Sequence, residues 1–131
     1  MPKLTGLLEA AIYVDDVERA VGFYARVFGF ESIGADERLT ALGVAGRQVL
    51  LVCRRGASTA RVSAAHDGSG RQHLAFAVPA DAFASWLERL GEQGVAIEHR
   101  RTWPRGGESV YFRDPDGHLL ELATPGVWSI Y

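Results

Sequence analysis

LLEAAIYVDDVERAVGFYARVFGFE, residues 7–31, is the stretch on which the fold turns. Its period changes half-way. LLEAAIYV (7–14) is an apolar run of strand length, interrupted by Glu9. DDVERAVGFYARVFGF then sets Val17, Ala20, Val21, Tyr24, Val27 and Phe28 at helical spacing. Asp15 or Asp16 is the candidate N-cap, and Gly29 the stop. Short strands follow near 30–34, 38–44 and 47–53. The sum is one βαβββ module.

The second half repeats that order. QHLAFAVP (72–79) reads as a strand closed by Pro79. Asp81 is the candidate cap of a helix with Phe83, Trp86, Leu87 and Leu90 on one face, ended by Gly94. Strands are expected near 95–101, 108–113 and 118–124. The Gly/Ser-rich stretch RGASTARVSAAHDGSGR (55–71) joins the halves. The expected organisation is one domain over 1–131, with modules at about 5–56 and 71–126 and a linker at about 57–70. Glu9 and His73 stand at matching places (73 − 9 = 64). GRQVLL (46–51) aligns with GHLLEL (117–122) at an offset of 117 − 46 = 71, which sets Leu50 opposite Glu121.

Composition bounds the function. The 131 residues are 47% hydrophobic and 23% charged, with a net charge of −2. That is ordinary globular composition. Acids and bases are mixed along the chain, so neither a nucleic-acid stripe nor an acidic tail is present. Cys53 is the only cysteine. An intrachain disulfide is therefore impossible, and a reducing, cytoplasmic setting is expected. No signal peptide or membrane span is read from the sequence.

Strand alternation sorts the side chains by face. Glu9, Ala11 and Tyr13 share one face of the first strand. His73, Ala75 and Ala77 share one face of the fifth, and Leu119, Glu121 and Ala123 one face of the last. The opposite faces carry the bulky residues that suit packing on helices. Small residues around three polar groups describe a cavity in a curved sheet. A carboxylate inside one is costly unless it is paired, neutralised or metal-bound.

LLEAAIYVDDVERAVGFYARVFGFE (7–31), HLAFAVP (73–79) and YFRDPDGHLLELATP (111–125) resemble the vicinal oxygen chelate superfamily. That group includes glyoxalase I, bleomycin-resistance proteins, fosfomycin-resistance enzymes and extradiol dioxygenases. The resemblance implies an α+β fold: two βαβββ modules forming a curved mixed sheet, a cup with helices outside. It implies metal ligands at Glu9, Leu50, His73 and Glu121, of which three can ligate. Glyoxalase I has a Glu where Leu50 stands, so its chemistry is not expected. Glu, His and Glu suit Mn, Fe, Zn, Ni or Mg without choosing among them. The resemblance also implies a small-molecule substrate and a homodimer, with the aromatic tail GVWSIY (126–131) packing through Trp128 or Tyr131.

Further residues carry two readings each. His66 is an exposed loop residue or, if the linker covers the cup, an acid or base. Tyr13 shares Glu9's face and is a candidate to line the cup. Gln48, assigned to Leu50's face, is a candidate substitute ligand or substrate contact. Trp103 and Arg105, in the loop WPRGG (103–107), wall a pocket and bind an anion, or are plain surface. His118 and the DPDG turn (114–117) read as structural. Three functions compete. The first is a divalent-metal enzyme using Lewis-acid activation of a small oxygenated substrate, by lyase, isomerase, epoxide-opening or dioxygenase chemistry. The second is a metal-free drug-binding protein of the bleomycin-resistance type. The third is a sensor or chaperone module.

Overall fold

The structure, a computed structural model, describes residues 1–57 and 65–131. The expected linker lies partly outside them. The chain divides into two compact units, Met1–Gly70 and Arg71–Tyr131. Among the described residues each holds one four-stranded mixed sheet and one α-helix, so the βαβββ pattern is present twice.

The first unit runs β1 (Glu9–Val14), α1 (Val17–Phe28), β2 (Glu31–Ala35), β3 (Leu39–Val44) and β4 (Gln48–Arg54). Its strand order is β1-β4-β3-β2, with β1 parallel to β4 and the other pairs antiparallel. Asp16 caps α1: its carboxylate accepts from the Arg19 backbone N–H at 3.0 Å. That satisfies one of the orphan donors of the first turn. Gly29 ends the helix at φ 73°, in the left-handed region where a Cβ is unwelcome. Ala20, Phe23, Tyr24 and Val27 are buried, with Ile12, Val14, Leu42, Leu50 and Val52 from the strands. Of the helical stripe read from the sequence, Ala20, Tyr24 and Val27 are buried; Val17, Val21 and Phe28 are half-buried, and Phe23, outside that stripe, is buried with them.

The second unit runs β5 (His73–Ala77), α2 (Phe83–Glu92), β6 (His99–Thr102), β7 (Glu108–Arg113) and β8 (Leu119–Ala123), in the order β5-β8-β7-β6. Two expectations are corrected. Asp81 does not cap α2: a single 3-10 turn, Ala80–Ala82, leads into it, and the N-cap is Ala82 with no side-chain bond. The turn itself supplies backbone partners at the helix entry. The sixth strand starts at His99, four residues later than expected, and is exposed throughout. Phe83, Leu90, Val110, Phe112, Leu120 and Leu122 form the buried apolar set. DPDG is the expected tight turn: Asp114 Oδ1 accepts from the N–H groups of Asp116 and His118, each at 2.9 Å. His118 is fully buried and its Nδ1 accepts from the Gln72 N–H at 2.8 Å, a structural role as read.

The tail ends on its own unit. The Tyr131 hydroxyl lies 3.2 Å from the Val78 carbonyl and 3.1 Å from that of Ala123, while Trp128 is 68% exposed. No helix among the described residues is long and apolar enough to cross a membrane.

Candidate functional site

Strand pairing in the second unit decides which side chains share a face. His73 pairs with Leu119, Ala75 with Glu121, and Ala77 with Ala123. Across β7 and β6, Glu121 faces Tyr111 and then His99, and Ala123 faces Ser109 and then Arg101. Partners in a ladder point the same way. His73, Glu121, Tyr111, Ser109, His99 and Arg101 therefore lie on one face, and Leu120, Leu122, Val110 and Phe112 on the other.

Glu121 is buried, with an exposed fraction of 6%. Its Oε2 accepts from the Ser109 hydroxyl at 2.5 Å, and Ser109 Oγ lies 2.9 Å from Trp103 Nε1. Its Oε1 stands 3.3 Å from His73 Nε2. The other imidazole nitrogen, Nδ1, is 2.8 Å from the Leu119 carbonyl. A carbonyl only accepts, so Nδ1 carries the hydrogen. Nε2 and a carboxylate oxygen are then left facing each other. Two acceptors at that distance are reconciled by a proton shared between them or by a metal ion. Tyr111 stacks near His73 with ring centroids 6.4 Å apart. Burial, first, and the Glu121 charge, second, push its phenol above the ordinary range.

This donor pair fits a divalent metal. Two ligand atoms about 2.1 Å from one ion and 3.3 Å apart subtend an angle of about 100°, close to tetrahedral. A His whose second nitrogen donates to a carbonyl is the usual outer arrangement of a metal-binding imidazole. Among the described residues, no three His, Cys, Asp or Glu side chains group as a cluster.

In the first unit Glu9 is exposed at the start of β1. The alignment that set Leu50 opposite Glu121 is corrected by the register. Glu9 pairs with Val49, Ala10 with Leu50 and Ala11 with Leu51. Since Ala75 pairs with Glu121, the match to Glu121 is Leu51. Leu50 lies 3% exposed on the packed face with Ile12 and Val52. Gln48 shares that face by parity, away from Glu9, so its assignment as a cup residue is corrected too. The slip has a cause in the turns. Three residues, 45–47, connect Val44 to Gln48, with positive φ at Ala45 (50°) and Gly46 (69°). Residues 115–117 connect Asp114 to His118, with positive φ at Gly117 (83°). The glycines used for alignment occupy the second and third places of their turns.

The structure brings Tyr13 and His66 together: the Tyr13 hydroxyl is 2.7 Å from His66 Nδ1. Asp67 holds the segment by accepting from the N–H groups of Gly56 and Gly68. Gly68 lies against the Tyr13 ring, where a Cβ would meet Cδ2 at 2.5 Å. Burial raises the Tyr13 phenol, with Cys53 and Asp67 adding to it. Trp103 is half-buried, and the Arg101 guanidinium sits 3.7 Å above its ring. Arg105 is exposed. Sequence reasoning missed Ser109 and Tyr111. Alternation in ESVYFR (108–113) held the signal, with Ser109 and Tyr111 opposite the core residues Val110 and Phe112.

Comparison with known proteins now fixes the class. Residues 6–122 match the model of the Glyoxalase/Bleomycin resistance protein/Dioxygenase superfamily. The chain belongs to that superfamily. It is 28% identical to the metallothiol transferase FosB of Shouchella clausii over 92% of this chain and 81% of that protein. It is 32% identical to catechol-2,3-dioxygenase of Bacillus subtilis over 86% of this chain, which spans only 39% of that enzyme. The crystal structure of lactoylglutathione lyase from Agrobacterium tumefaciens superposes with a TM-score of 0.88 at 28% identity, covering 98% of this chain and 99% of that one. These relatives are enzymes: a transferase, a dioxygenase and a lyase.

Proposed function

We propose that the chain is a divalent-metal-dependent enzyme of the glyoxalase/dioxygenase type, acting on a small oxygenated molecule. The observation that carries this is the 3.3 Å approach of His73 Nε2 to Glu121 Oε1, with the outer atoms of both groups already engaged. Glu9 is the proposed third ligand, carried over from the superfamily's pattern. A bound cation supplies Lewis-acid stabilisation of negative charge developing on a substrate oxygen. The protein's part is to hold His73 Nε2 and Glu121 Oε1 facing each other, with Tyr111 beside them. His66, hydrogen-bonded to Tyr13, is the proposed acid or base. Trp103, Arg105 and Tyr13 remain the proposed substrate contacts. The relatives' transferase, dioxygenase and lyase names leave the reaction type open among those chemistries. A cytoplasmic homodimer is the proposed working form. The exposed Leu4, Leu7, Leu8, Trp128 and Ile130 support the dimer, and the lone Cys53 supports a reducing compartment.

The test is thermal melting after chelation, with Mn²⁺, Fe²⁺, Zn²⁺, Ni²⁺ and Mg²⁺ added back in turn. A ligand of the folded state at 100 times its Kd stabilises by about 2.7 kcal/mol. At least one metal is expected to raise the midpoint by several degrees, and Glu121→Gln to lose that rise together with turnover. If no metal moves the midpoint, the pair is an imidazolium–carboxylate contact and the metal-free binding protein becomes the better reading.

A further inference from the structure

We propose that Ser109, held by the Trp103 indole, is a positioning residue that commits Glu121 to bind its cation through one oxygen. This rests on the metal-dependent reading above. Chemistry fixes the direction of every bond in the chain of groups. An indole N–H donates and never accepts, while an ionised carboxylate accepts and never donates. Ser109 Oγ therefore accepts from Trp103 Nε1 at 2.9 Å, and its single proton goes to Glu121 Oε2 at 2.5 Å. That length belongs to the strong, charge-assisted class. Tyr111 also interacts with Ser109 and Glu121.

Burial makes the arrangement rigid. Ser109 is fully buried, so water does not compete for its hydroxyl. The Trp103 ring is covered by the Arg101 guanidinium at 3.7 Å, which steadies the indole that orients the serine. Ser109 engages Oε2, while Oε1 faces His73 Nε2 at 3.3 Å. Ser109 touches no metal and acts through Glu121. Losing such an outer partner costs about 10–100-fold in metal affinity.

The experiment measures Mn²⁺ and Zn²⁺ binding to the chelator-treated full chain by calorimetry, with tryptophan emission read in parallel. Ser109→Ala is expected to bind about tenfold more weakly or worse. Loading Oε1 withdraws charge from Oε2 and loosens the bonds behind it, so wild-type emission shifts on metal addition. Trp103→Phe abolishes that shift, although Trp86 and Trp128 remain. A Ser109→Ala protein that binds like wild type overturns the inference and leaves the metal reading standing. Wild type that takes up neither ion overturns the metal reading and this inference with it. If Ser109→Ala does not fold, emission decides: a metal-induced shift that persists in Trp103→Phe overturns the coupling.

Discussion

The two units share one plan and differ row by row on their open faces. In the first, the rows across β1, β4 and β3 read Glu9–Val49–Gly43, Ala11–Leu51–Ala41 and Tyr13–Cys53–Leu39. In the second, across β5, β8 and β7, they read His73–Leu119–Arg113, Ala75–Glu121–Tyr111 and Ala77–Ala123–Ser109. The middle row is apolar in one unit and carries a buried carboxylate with its phenol in the other. The last row holds Tyr13, engaged by His66, in one and the serine that bonds Glu121 in the other. A buried charge needs partners at fixed offsets. The second unit supplies them from β5, β7 and a turn, whereas at the places matching His73, Tyr111 and Ser109 the first unit carries Glu9, Ala41 and Leu39. The same scaffold stands twice in the chain, and the buried carboxylate with its partners stands in the second copy.

The sharpest way to break this comparison is to move the carboxylate. Leu51→Glu places it at the true match to Glu121, on the open face, while Leu50→Glu places it one residue away, on the packed face. Leu50→Glu gives up about 1.5–3 kcal/mol of leucine burial and adds several kcal/mol for an unpaired buried ion. It is expected not to fold at 25 °C. Leu51→Glu is expected to fold with a loss of about 1 kcal/mol. Urea melts of both proteins check the register. Comparable losses at the two positions would show that Leu50 and Leu51 do not lie on opposite faces.

Both helices were legible because their apolar residues follow the helical period, and much of each stripe is buried, although the reading left out the buried Phe23. The grouping of His73 with Glu121 was legible too, since alternation survives wherever a strand is regular. Residues 46–51 and 117–122 misled for a physical reason. Their glycines answer to turn geometry, not to the ladder, and one place of difference in the turn becomes one residue of register. A one-residue slip moves every side chain to the other face. That is why Leu50 and Gln48 were misassigned while Glu121 was not. Ser109 is a small, neutral side chain whose importance arises only from the Glu121 opposite, a long-range contact that no local pattern encodes.

A milder comparison sets the two helix starts side by side. α1 begins with a carboxylate bonded to the third N–H of its first turn, and α2 begins on a 3-10 turn without side-chain help. Asp16→Ala is expected to cost about 1 kcal/mol, the typical loss for an N-cap. Asp81→Ala, despite the similar look of DDVERA and ADAFAS, is expected to stay within about 0.5 kcal/mol of wild type, as an exposed surface change. Equal losses in chemical denaturation would mean that Asp81 caps its helix after all.

The smallest effect concerns the two open-face tyrosines. Burial is the leading cause that lifts both Tyr13 and Tyr111 above the ordinary value of 10.0, but the charges that add to it differ. For Tyr13 they are Cys53 and Asp67; for Tyr111 the next cause is Glu121. The folded state thus keeps phenolic protons that the unfolded chain gives up near pH 10. Stability from this source is complete below that pH and is lost as pH rises through the raised values. Both rings are half-buried and keep part of their surface in water, so screening keeps the loss small. Glu121→Gln removes one lifting charge from Tyr111 and none from Tyr13. Alkaline titration followed by phenolate absorbance, with Tyr111→Phe to assign the steps, is expected to show the Tyr111 step move down in Glu121→Gln and the Tyr13 step stay. Movement of both steps together would mean that Glu121 bears on the two phenols alike, and the contrast between the faces would not extend to their charges.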